Sequence, residues 1–177
     1  MKIVAGIYGS RQIARPLSGA VRPLAEKVRA AIFDSLGDIS GLTVADLYAG
    51  SGAAGLEALS RGAGAVTFVE QDKRVVEVIR ANIRSLEAAG TRVINQNVST
   101  WVHSPEVGEY DLVIADPPYA KIDFAVLAKV AAHINAGGIL VVSHSSKIEP
   151  PVLESMELRR SKRYGDSHLS TYQRITS

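Results

Sequence analysis

Five short apolar runs recur along this chain, and they limit its fold more than any other feature. The runs lie at residues 44–49, 65–70, 92–97, 111–116 and 138–143. Most are almost continuously apolar, which is typical of parallel strands covered on both faces. The stretches between them carry helical patterns. This alternation predicts an α/β fold with a doubly wound, mostly parallel sheet.

Two of the intervening stretches have a clear helical period. Residues 72–89 place apolar side chains on one stripe, with Asp72 as the expected cap and Gly90 as the expected stop. Residues 123–136 show the same spacing and end at a pair of glycines. We expect one helix in each stretch.

The two ends of the chain add elements of a different kind. Residues 1–18 suggest a small hairpin, and residues 23–36 have helical spacing. Residues 157–164 and 168–175 predict an antiparallel pair at the sheet edge. Together with the five apolar runs, this pair makes a seven-stranded sheet.

Positive charge is concentrated at these ends. The net charge is only +2, but residues 1–37 and 156–177 are basic and the middle of the chain is acidic. The asymmetry suggests that the ends meet a polyanion, and ordinary solvated charge explains it equally well. We predict that residues 1–37 form an N-terminal extension and that residues 38–177 form the main domain.

Composition excludes several classes of protein. The chain has no cysteine, which rules out disulfides and thiolate zinc sites and fits a reducing cytoplasm. Its four histidines form no metal-spaced set, so we predict no metal. The N-terminus lacks the apolar core of a signal peptide, and no run approaches the roughly 20 apolar residues of a membrane span. We therefore expect a cytoplasmic protein without a membrane partner.

A glycine-rich turn follows the first predicted strand. It has the pattern Gly50-x-Gly52-x-x-Gly55, which permits a tight turn and a close approach of the backbone to a nucleotide. Glu70 ends the second strand, where a carboxylate can accept hydrogen bonds from both ribose hydroxyls. A ligand at this edge of the sheet fits NAD as well as S-adenosylmethionine. We also assign Tyr48, Ser51 and Gln71 to the nucleotide site, because they lie in or beside these segments.

Asp46 shifts the balance between the two cofactors. A dinucleotide places its pyrophosphate near the glycine turn, and a second anion there is unfavourable in a partly dry site. S-adenosylmethionine instead brings an ammonium group and a sulfonium group, and Asp46 suits the ammonium. The alternative is that Asp46 is a buried carboxylate that caps the glycine turn.

The fourth apolar run ends in the sequence Asp116-Pro117-Pro118-Tyr119. The prolines fix the backbone and lack N–H donors, so Asp116 and a carbonyl of this segment can accept both N–H bonds of an exocyclic amine. Tyr119 offers a ring on which a base stacks, worth about 1–3 kcal/mol. With an ordinary pKa near 4, Asp116 is ionised at neutral pH and stabilises the charge that develops on the attacking nitrogen. The alternative is a rigid turn that only ends the strand.

Longer segments resemble one family. The segments "DLYAGSGAAGLEALSRGA", "FVEQD" and "DLVIADPPY", with "IVAGIYGSRQI", "VRPLAEKVRAAIFDSL" and "RYGDSHLSTYQ" at the two ends, are similar to the bacterial small-subunit rRNA guanine-N2 methyltransferase D family. The resemblance covers nearly the whole chain, and its two ends are the family-specific part. It implies a Rossmann-like class I methyltransferase fold that uses S-adenosylmethionine. It also implies a loop guanine of 16S rRNA as the target, numbered 966 in the reference RNA, possibly within an assembling small subunit.

The resemblance also implies roles for individual residues. Asn97 would approach the adenine amine of the cofactor, and Val98 would offer a backbone N–H. The RNA would be met by four arginines of the N-terminal extension: Arg11, Arg15, Arg22 and Arg29. The chain departs from the family pattern at five positions: Ile7, Gly9, Ser10, Leu24 and Ser143.

Three other functions remain open from the sequence. A DNA adenine-N6 methyltransferase would use the same amine pocket, but the chain has no obvious domain for reading duplex sequence. A non-catalytic RNA-binding protein on the same fold would not need the intact Asp-Pro-Pro-Tyr segment. An NAD oxidoreductase lacks a candidate proton donor and is disfavoured by Asp46.

Overall fold

A seven-stranded sheet organises the chain. The computed structural model describes residues 1–16, 24–118 and 122–176. The strands lie in the order β3-β2-β1-β4-β5-β7-β6. Their bounds are β1 (Thr43–Leu47), β2 (Ala65–Glu70), β3 (Thr91–Asn95), β4 (Tyr110–Ala115), β5 (Ile134–Ser145), β6 (Met156–Tyr164) and β7 (Ser167–Arg174).

The pairing confirms the predicted mixed sheet. Strands β1 to β5 pair in parallel, whereas β7 pairs antiparallel with both β5 and β6. Because β4 lies directly beside β1, the segment after β4 lies next to the glycine turn that follows β1. The chain therefore has the doubly wound α/β fold that its apolar runs predict.

Helices cover both faces of the sheet. Their bounds are α1 (Glu26–Leu36), α2 (Ala53–Ser60), α3 (Lys73–Leu86), α4 (Val98–Trp101) and α5 (Phe124–Ala132). One buried cluster joins Val44, Phe68 and Ile114 to α1, α2 and α3. Another joins alternate residues of the same strands, such as Leu47 and Ala115, to α4 and α5. This alternation is the period of two expected for strands buried on both faces.

The N-terminal segment forms a very small hairpin. Lys2 and Gln12 form one antiparallel bridge, and the Ile13 amide donates to the carbonyl of Met1 at 2.8 Å. Ile3 and Ile13 are buried in the same cluster as α1, α2 and α3. The proposed division of the chain at residue 37 stays a prediction.

Two predicted helix boundaries were wrong. Helix α3 begins after its Asp72 cap as predicted, but it ends at Leu86 because Glu87 adopts the left-handed conformation, before Gly90 is reached. Helix α5 ends at Ala132, and Ile134, which had been assigned to the helix, begins β5 and pairs with Tyr110. The pair of glycines thus lies inside an irregular start of β5, where the register shifts between Tyr110 and Leu112.

Candidate active site

A cavity of about 780 Å³ opens beyond the carboxyl ends of the central strands. This volume lies within the range of small-molecule sites. Its walls come from the start of α1, the segments after β1, β2, β3 and β4, and the turn between β6 and β7. The cavity thus lies at the edge of the sheet where doubly wound folds bind ligands.

The glycine turn forms one wall and has little freedom to change. Gly52 has a φ of 76° and precedes the first residue of α2. A Cβ atom on Gly55 would lie 2.3 Å from Cε1 of Phe68, so α2 approaches β2 this closely only with glycine at that position. The close approach brings the first turn of α2 against the carboxyl ends of β1 and β2.

Asp46 lies at the end of β1 beneath this turn. Its Oδ2 accepts a hydrogen bond from the Gly55 amide at 2.8 Å, and its carboxylate also lines the cavity. The capping role therefore exists, and a ligand role remains compatible with it. Burial, followed by the nearby Asp116 and Glu70 carboxylates, raises the pKa of Asp46 to about 8. Binding of an ammonium group by Asp46 stays a prediction.

Glu70 holds the two neighbouring segments in place. Its Oε2 accepts from the Gly50 amide at 3.0 Å, and its Oε1 accepts from the Asp72 amide at 2.9 Å. The carboxylate is buried and lines the cavity. Both oxygens already hold protein donors, and each can still accept from a second one. The predicted bonds to ribose hydroxyls remain open.

Gln71, Asn97 and Val98 form the wall after β2 and β3. The Asn97 amide donates to Oε1 of Gln71 at 2.8 Å, and its Oδ1 caps α4 by accepting from the Ser99 amide at 2.9 Å. Val98 begins α4, where backbone N–H groups have no acceptor within the helix. Sequence reasoning missed α4 because four residues are too short to show a helical period.

Asp116 directly follows β4 and lines the cavity beside Pro117 and Pro118. Burial raises its pKa to about 6, and a hydrogen bond from Ser143 opposes part of that shift. The expectation of an ordinary value near 4 was therefore wrong, because the site is drier than a solvated turn. Asp116 is still mostly ionised at neutral pH. Tyr119 lies outside the described residues.

Tyr48 and Ser51 line the same cavity. Tyr48 has a φ of 57°, a value rare for residues with a side chain and found at functional turns. The backbone carbonyl of Ser51 accepts from Nδ2 of Asn82 at 2.9 Å. Asn82 also pairs with Ala14 through both its amide oxygen and its nitrogen, so it ties the N-terminal segment to the glycine turn. No sequence motif pointed to Asn82.

Charge is the most distinctive property of the cavity. Within the described residues, its lining contains neither lysine nor arginine. It contains five acidic residues: Asp46, Glu70, Asp72, Asp116 and Asp166. A ligand with a phosphate or pyrophosphate would be repelled here, whereas a cationic ligand would be attracted.

The structure corrects the RNA-binding prediction for Arg29. Its side chain is fully buried, and its Nε lies 3.4 Å from Oε2 of the equally buried Glu57. It also donates to the carbonyl of Lys2. Arg29 is therefore a structural residue that holds the N-terminal segment on α1 and α2, and it cannot contact RNA phosphates.

The other predicted RNA-binding arginines have different surroundings. Arg11 is exposed, but its guanidinium bonds the carbonyls of Ser85 and Leu86 at the end of α3. Arg15 is exposed beside Leu24, which also lines the main cavity. Arg22 lies outside the described residues. An RNA contact by Arg11 or Arg15 stays a prediction.

The turn between β6 and β7 was not recognised as part of the site. Residues 164–167 line the same cavity as the glycine turn. The resemblance to "RYGDSHLSTYQ" pointed to the family but assigned no role to these residues.

Two kinds of feature are absent from the residues that the structure describes. No group of three or more histidine, cysteine, aspartate or glutamate side chains is arranged to hold a metal ion. No helix in these ranges is long and apolar enough to cross a membrane.

The fold and the position of the cavity place this protein in the class with a Rossmann-like methyltransferase fold. The solved structure of the Escherichia coli protein yhhF superposes with a TM-score of 0.88 at 28% identity and covers 100% of this chain and 99% of that chain. The protein SMU.776, solved in complex with SAH, shares the fold alone, with a TM-score of 0.70 at 15% identity over 84% of this chain and 48% of its own.

Sequence comparison then identifies the family. The family described as Conserved hypothetical protein 95 matches residues 1–173. Ribosomal RNA small subunit methyltransferase D of Escherichia coli (strain K12) is 30% identical over 182 residues, which cover 98% of this chain and 90% of that protein. The chain belongs to this family, and the resemblance read from its motifs is confirmed.

Proposed function

We propose that this chain methylates the exocyclic N2 of a guanine in 16S rRNA, with S-adenosylmethionine as the methyl donor, in the cytoplasm. The Escherichia coli relative, which matches 98% of this chain, is named as a methyltransferase of the small-subunit rRNA, and this name supports methyl transfer as the general activity. One observation carries the proposal furthest. An acidic cavity without a cation in its described lining lies between the glycine turn and the Asp116 segment.

The lining residues fit this cofactor better than a dinucleotide. The ammonium group would favour the ionised form of Asp46, whose pKa burial raises to about 8, and the sulfonium would offset the Asp116 carboxylate. A pyrophosphate would instead add two negative charges to a cavity lined by acidic side chains. Glu70 would accept from the ribose hydroxyls, and Asn97 and the Val98 amide would meet the adenine edge; all three residues line the cavity. When bound, S-adenosylmethionine supplies an electrophilic methyl group on its sulfonium. The related fold of SMU.776 holds SAH, the product of such a transfer.

The Asp116 segment supplies the receptor for the amine. Pro117 and Pro118 have no N–H donors, so the incoming amine meets only acceptors from this backbone. The Asp116 carboxylate accepts one N–H bond, and a carbonyl of the proline segment accepts the other. These bonds favour a more tetrahedral nitrogen, whose lone pair then points at the methyl group.

Asp116 also stabilises the charge that develops during transfer. As the nitrogen bonds to the methyl carbon and the bond from carbon to sulfur breaks, positive charge grows on the nitrogen. The ionised carboxylate offsets this charge in a partly dry site, where the interaction is stronger than in water. The extra proton then leaves to water, so no stronger base is required.

The test is methyl transfer from labelled S-adenosylmethionine to small ribosomal subunits of a strain that lacks the family enzyme, and to free rRNA. We expect a single N2-methylguanine in the small-subunit RNA. Asp116→Ala should lower the rate by about 100-fold or more, because it removes the charge that faces the transition state. Asp38→Asn, which changes an exposed carboxylate outside the cavity, is the control and should retain the wild-type rate.

The other outcomes separate the competing functions. Label in adenine of a DNA substrate run in parallel would favour a DNA adenine-N6 enzyme. Binding of S-adenosylmethionine and rRNA without any transfer would favour a non-catalytic RNA-binding protein. Calorimetric binding of NAD without binding of S-adenosylmethionine would overturn the proposal.

A further inference from the structure

The hairpin of β6 and β7 connects the cavity to a strongly basic surface. Its turn, residues 164–167, lines the cavity, and β6 extends from that turn as the last strand of the sheet. The four cations of β6 are all exposed: Arg159, Arg160, Lys162 and Arg163.

The register of β6 places part of this charge in one line. Arg160 pairs with Thr171, Lys162 with Leu169, and Tyr164 with Ser167. Alternate residues of a strand share one face, so the side chains of Arg160, Lys162 and Tyr164 lie on the same face at intervals of roughly 6.6 Å. The Lys162 ammonium lies 5.4 Å from the centroid of the Tyr164 ring. We call Arg160, Lys162 and Tyr164 the β6 track, and its Tyr164 end reaches the cavity.

The two cations of the track are available to a ligand. Neither Arg160 nor Lys162 forms an ion pair with any carboxylate in the described ranges. Their neighbours differ, because Arg159 pairs with Glu157 at 3.1 Å and Nε of Arg163 donates to the Gly165 carbonyl at 2.7 Å. The charge of the track therefore faces solvent beside the mouth of an acidic cavity.

We propose that the β6 track binds the phosphate backbone of the RNA strand that delivers the target base to the cavity. This inference rests on the proposed function. A cavity lined by carboxylates repels phosphates, so the base must enter while its backbone stays outside, held by nearby cations. In the described residues, β6 is the basic strand that reaches the cavity wall. Two cations on one face of an extended strand can meet two separate phosphates of a single strand.

A second explanation for these charges exists and makes a different prediction. Charged side chains on an edge strand prevent pairing with other chains, and charge of either sign serves that purpose. Reversing the sign of the track would preserve this protection but would oppose binding of a polyanion.

The experiment compares Lys162→Glu and the double variant Arg160→Glu/Lys162→Glu with Lys129→Glu. Lys129 is a matched control, because it is exposed on α5, which packs on the opposite face of the sheet. Binding of unmodified in vitro transcribed 16S rRNA is measured at several salt concentrations, together with KM and kcat for methyl transfer. Affinity for S-adenosylmethionine and thermal unfolding are measured on every variant.

We expect the double variant to lose about tenfold or more in RNA affinity. The magnitude of its salt slope, the slope of log K against log salt concentration, should fall by about two, because each phosphate contact releases a counterion. Its KM for rRNA should rise by more than its kcat falls, and its affinity for S-adenosylmethionine should not change. The neutral variant Arg160→Gln/Lys162→Gln should show an intermediate loss, which excludes an effect of repulsion alone. Lys129→Glu should match the wild-type protein in all of these properties.

Two outcomes distinguish failure of the track from failure of the proposed function. If the double variant binds rRNA with the affinity and salt slope of Lys129→Glu while the wild type methylates rRNA, the track proposal is wrong and the proposed methyl transfer is supported. If neither the wild type nor any variant transfers methyl groups, but rRNA binding still depends on Arg160 and Lys162, the track proposal is supported and the proposed reaction is wrong.

Discussion

The two basic ends of this chain use their charges in opposite ways. In the N-terminal segment, Arg29 is buried against Glu57 and Arg11 bonds the end of α3. In the C-terminal hairpin, Arg160 and Lys162 of β6 are exposed and form no ion pair within the described residues. Arg29 and Arg11 help to hold the fold together, whereas Arg160 and Lys162 are presented to solvent.

The difference follows from what surrounds each segment. Glu57 lies inside α2 and also accepts from the amides of Val4 and Ala5 at 2.7 and 3.0 Å, so Arg29 beside it is held inside the fold. Strand β6 has a neighbour on one side only, and after its buried first residue, Met156, none of its residues is buried. Net charge counted along a sequence therefore says how much charge exists, and packing decides where it acts.

The largest expected effect comes from removing the buried ion pair between Arg29 and Glu57. Glu57→Ala removes the partner of Arg29 and the acceptor of two backbone amides, which leaves a buried positive charge without compensation. We expect the free energy of unfolding to fall by about 3–5 kcal/mol, measured by urea denaturation. Glu77→Ala, which breaks the exposed pair with Arg80, should cost no more than about 0.5 kcal/mol. Equal costs for the two variants would contradict the structural role of Glu57.

Asp46 differs from Glu57, because it is a buried carboxyl group that forms no ion pair within the described residues. Because burial raises the pKa of Asp46 to about 8, folded Asp46 keeps its proton at a pH where the unfolded chain has released it. The free energy of unfolding should therefore fall as pH rises from about 4 to about 8. Asp46→Asn removes this loss and keeps an oxygen that can accept from the Gly55 amide.

The expected gain of Asp46→Asn over the wild type grows with pH and levels off above about 8. It should reach a few kcal/mol, since one pKa unit corresponds to about 1.4 kcal/mol. Urea denaturation at pH 5, 7 and 9 measures it. Asp38→Asn should show no such gain, because its exposed carboxylate has a pKa lowered by Ser40 and is ionised in both states at these pH values. A pH-independent difference for Asp46→Asn would mean that Asp46 is already ionised in the folded protein.

Asn82 tests whether the N-terminal segment supports the site as well as the fold. Its amide bonds both Ala14 and the Ser51 carbonyl, so Asn82→Ala removes the side-chain partner of three backbone groups, and of these bonds the one to Ser51 is buried. We expect a loss of about 1–3 kcal/mol in the free energy of unfolding, with weaker binding of S-adenosylmethionine by calorimetry. If stability falls and cofactor affinity does not, the segment holds the fold without shaping the glycine turn.

The smallest effect concerns the exposed pair in β6. Glu157→Gln removes the charge that neutralises Arg159, while the bond from Nε of Arg159 to Gln173 remains, and it should leave the free energy of unfolding within about 0.5 kcal/mol of the wild-type value. Arg159 then becomes available to RNA, so the salt slope of rRNA binding should steepen by up to about one. An unchanged slope would exclude Arg159 from the RNA contact.

Much of the fold was predictable because its determinants are local in sequence. The continuous apolar runs of β1, β2 and β4, the Asp72 cap and the antiparallel pair around Gly165 all appear as patterns over a few residues. The same holds for the core of the site. Asp46 lies near the end of a recognisable strand, Gly50 and Asp116 each follow one, and parallel pairing of β1 with β4 then brings them to one cavity.

What could not be predicted depends on packing between distant segments. Arg29 and Arg160 are both arginines in basic segments, and only the position of Glu57 distinguishes them. The raised pKa of Asp116 follows from its burial in the cavity, which no motif encodes. Asn82 and the turn at residues 164–167 meet the glycine turn only after the sheet has formed.

The uncompensated negative charge of the cavity also selects among the many compounds that contain adenosine. Nucleoside triphosphates and dinucleotides share that group with S-adenosylmethionine, but their phosphates would face the carboxylates of Glu70 and Asp116. Methyl transfer removes the positive charge of the sulfonium, so the spent cofactor loses part of the attraction that held its precursor. Under the proposed function, the same carboxylates would discriminate against abundant competitors and favour release of the product, so turnover would depend on charge as much as on shape.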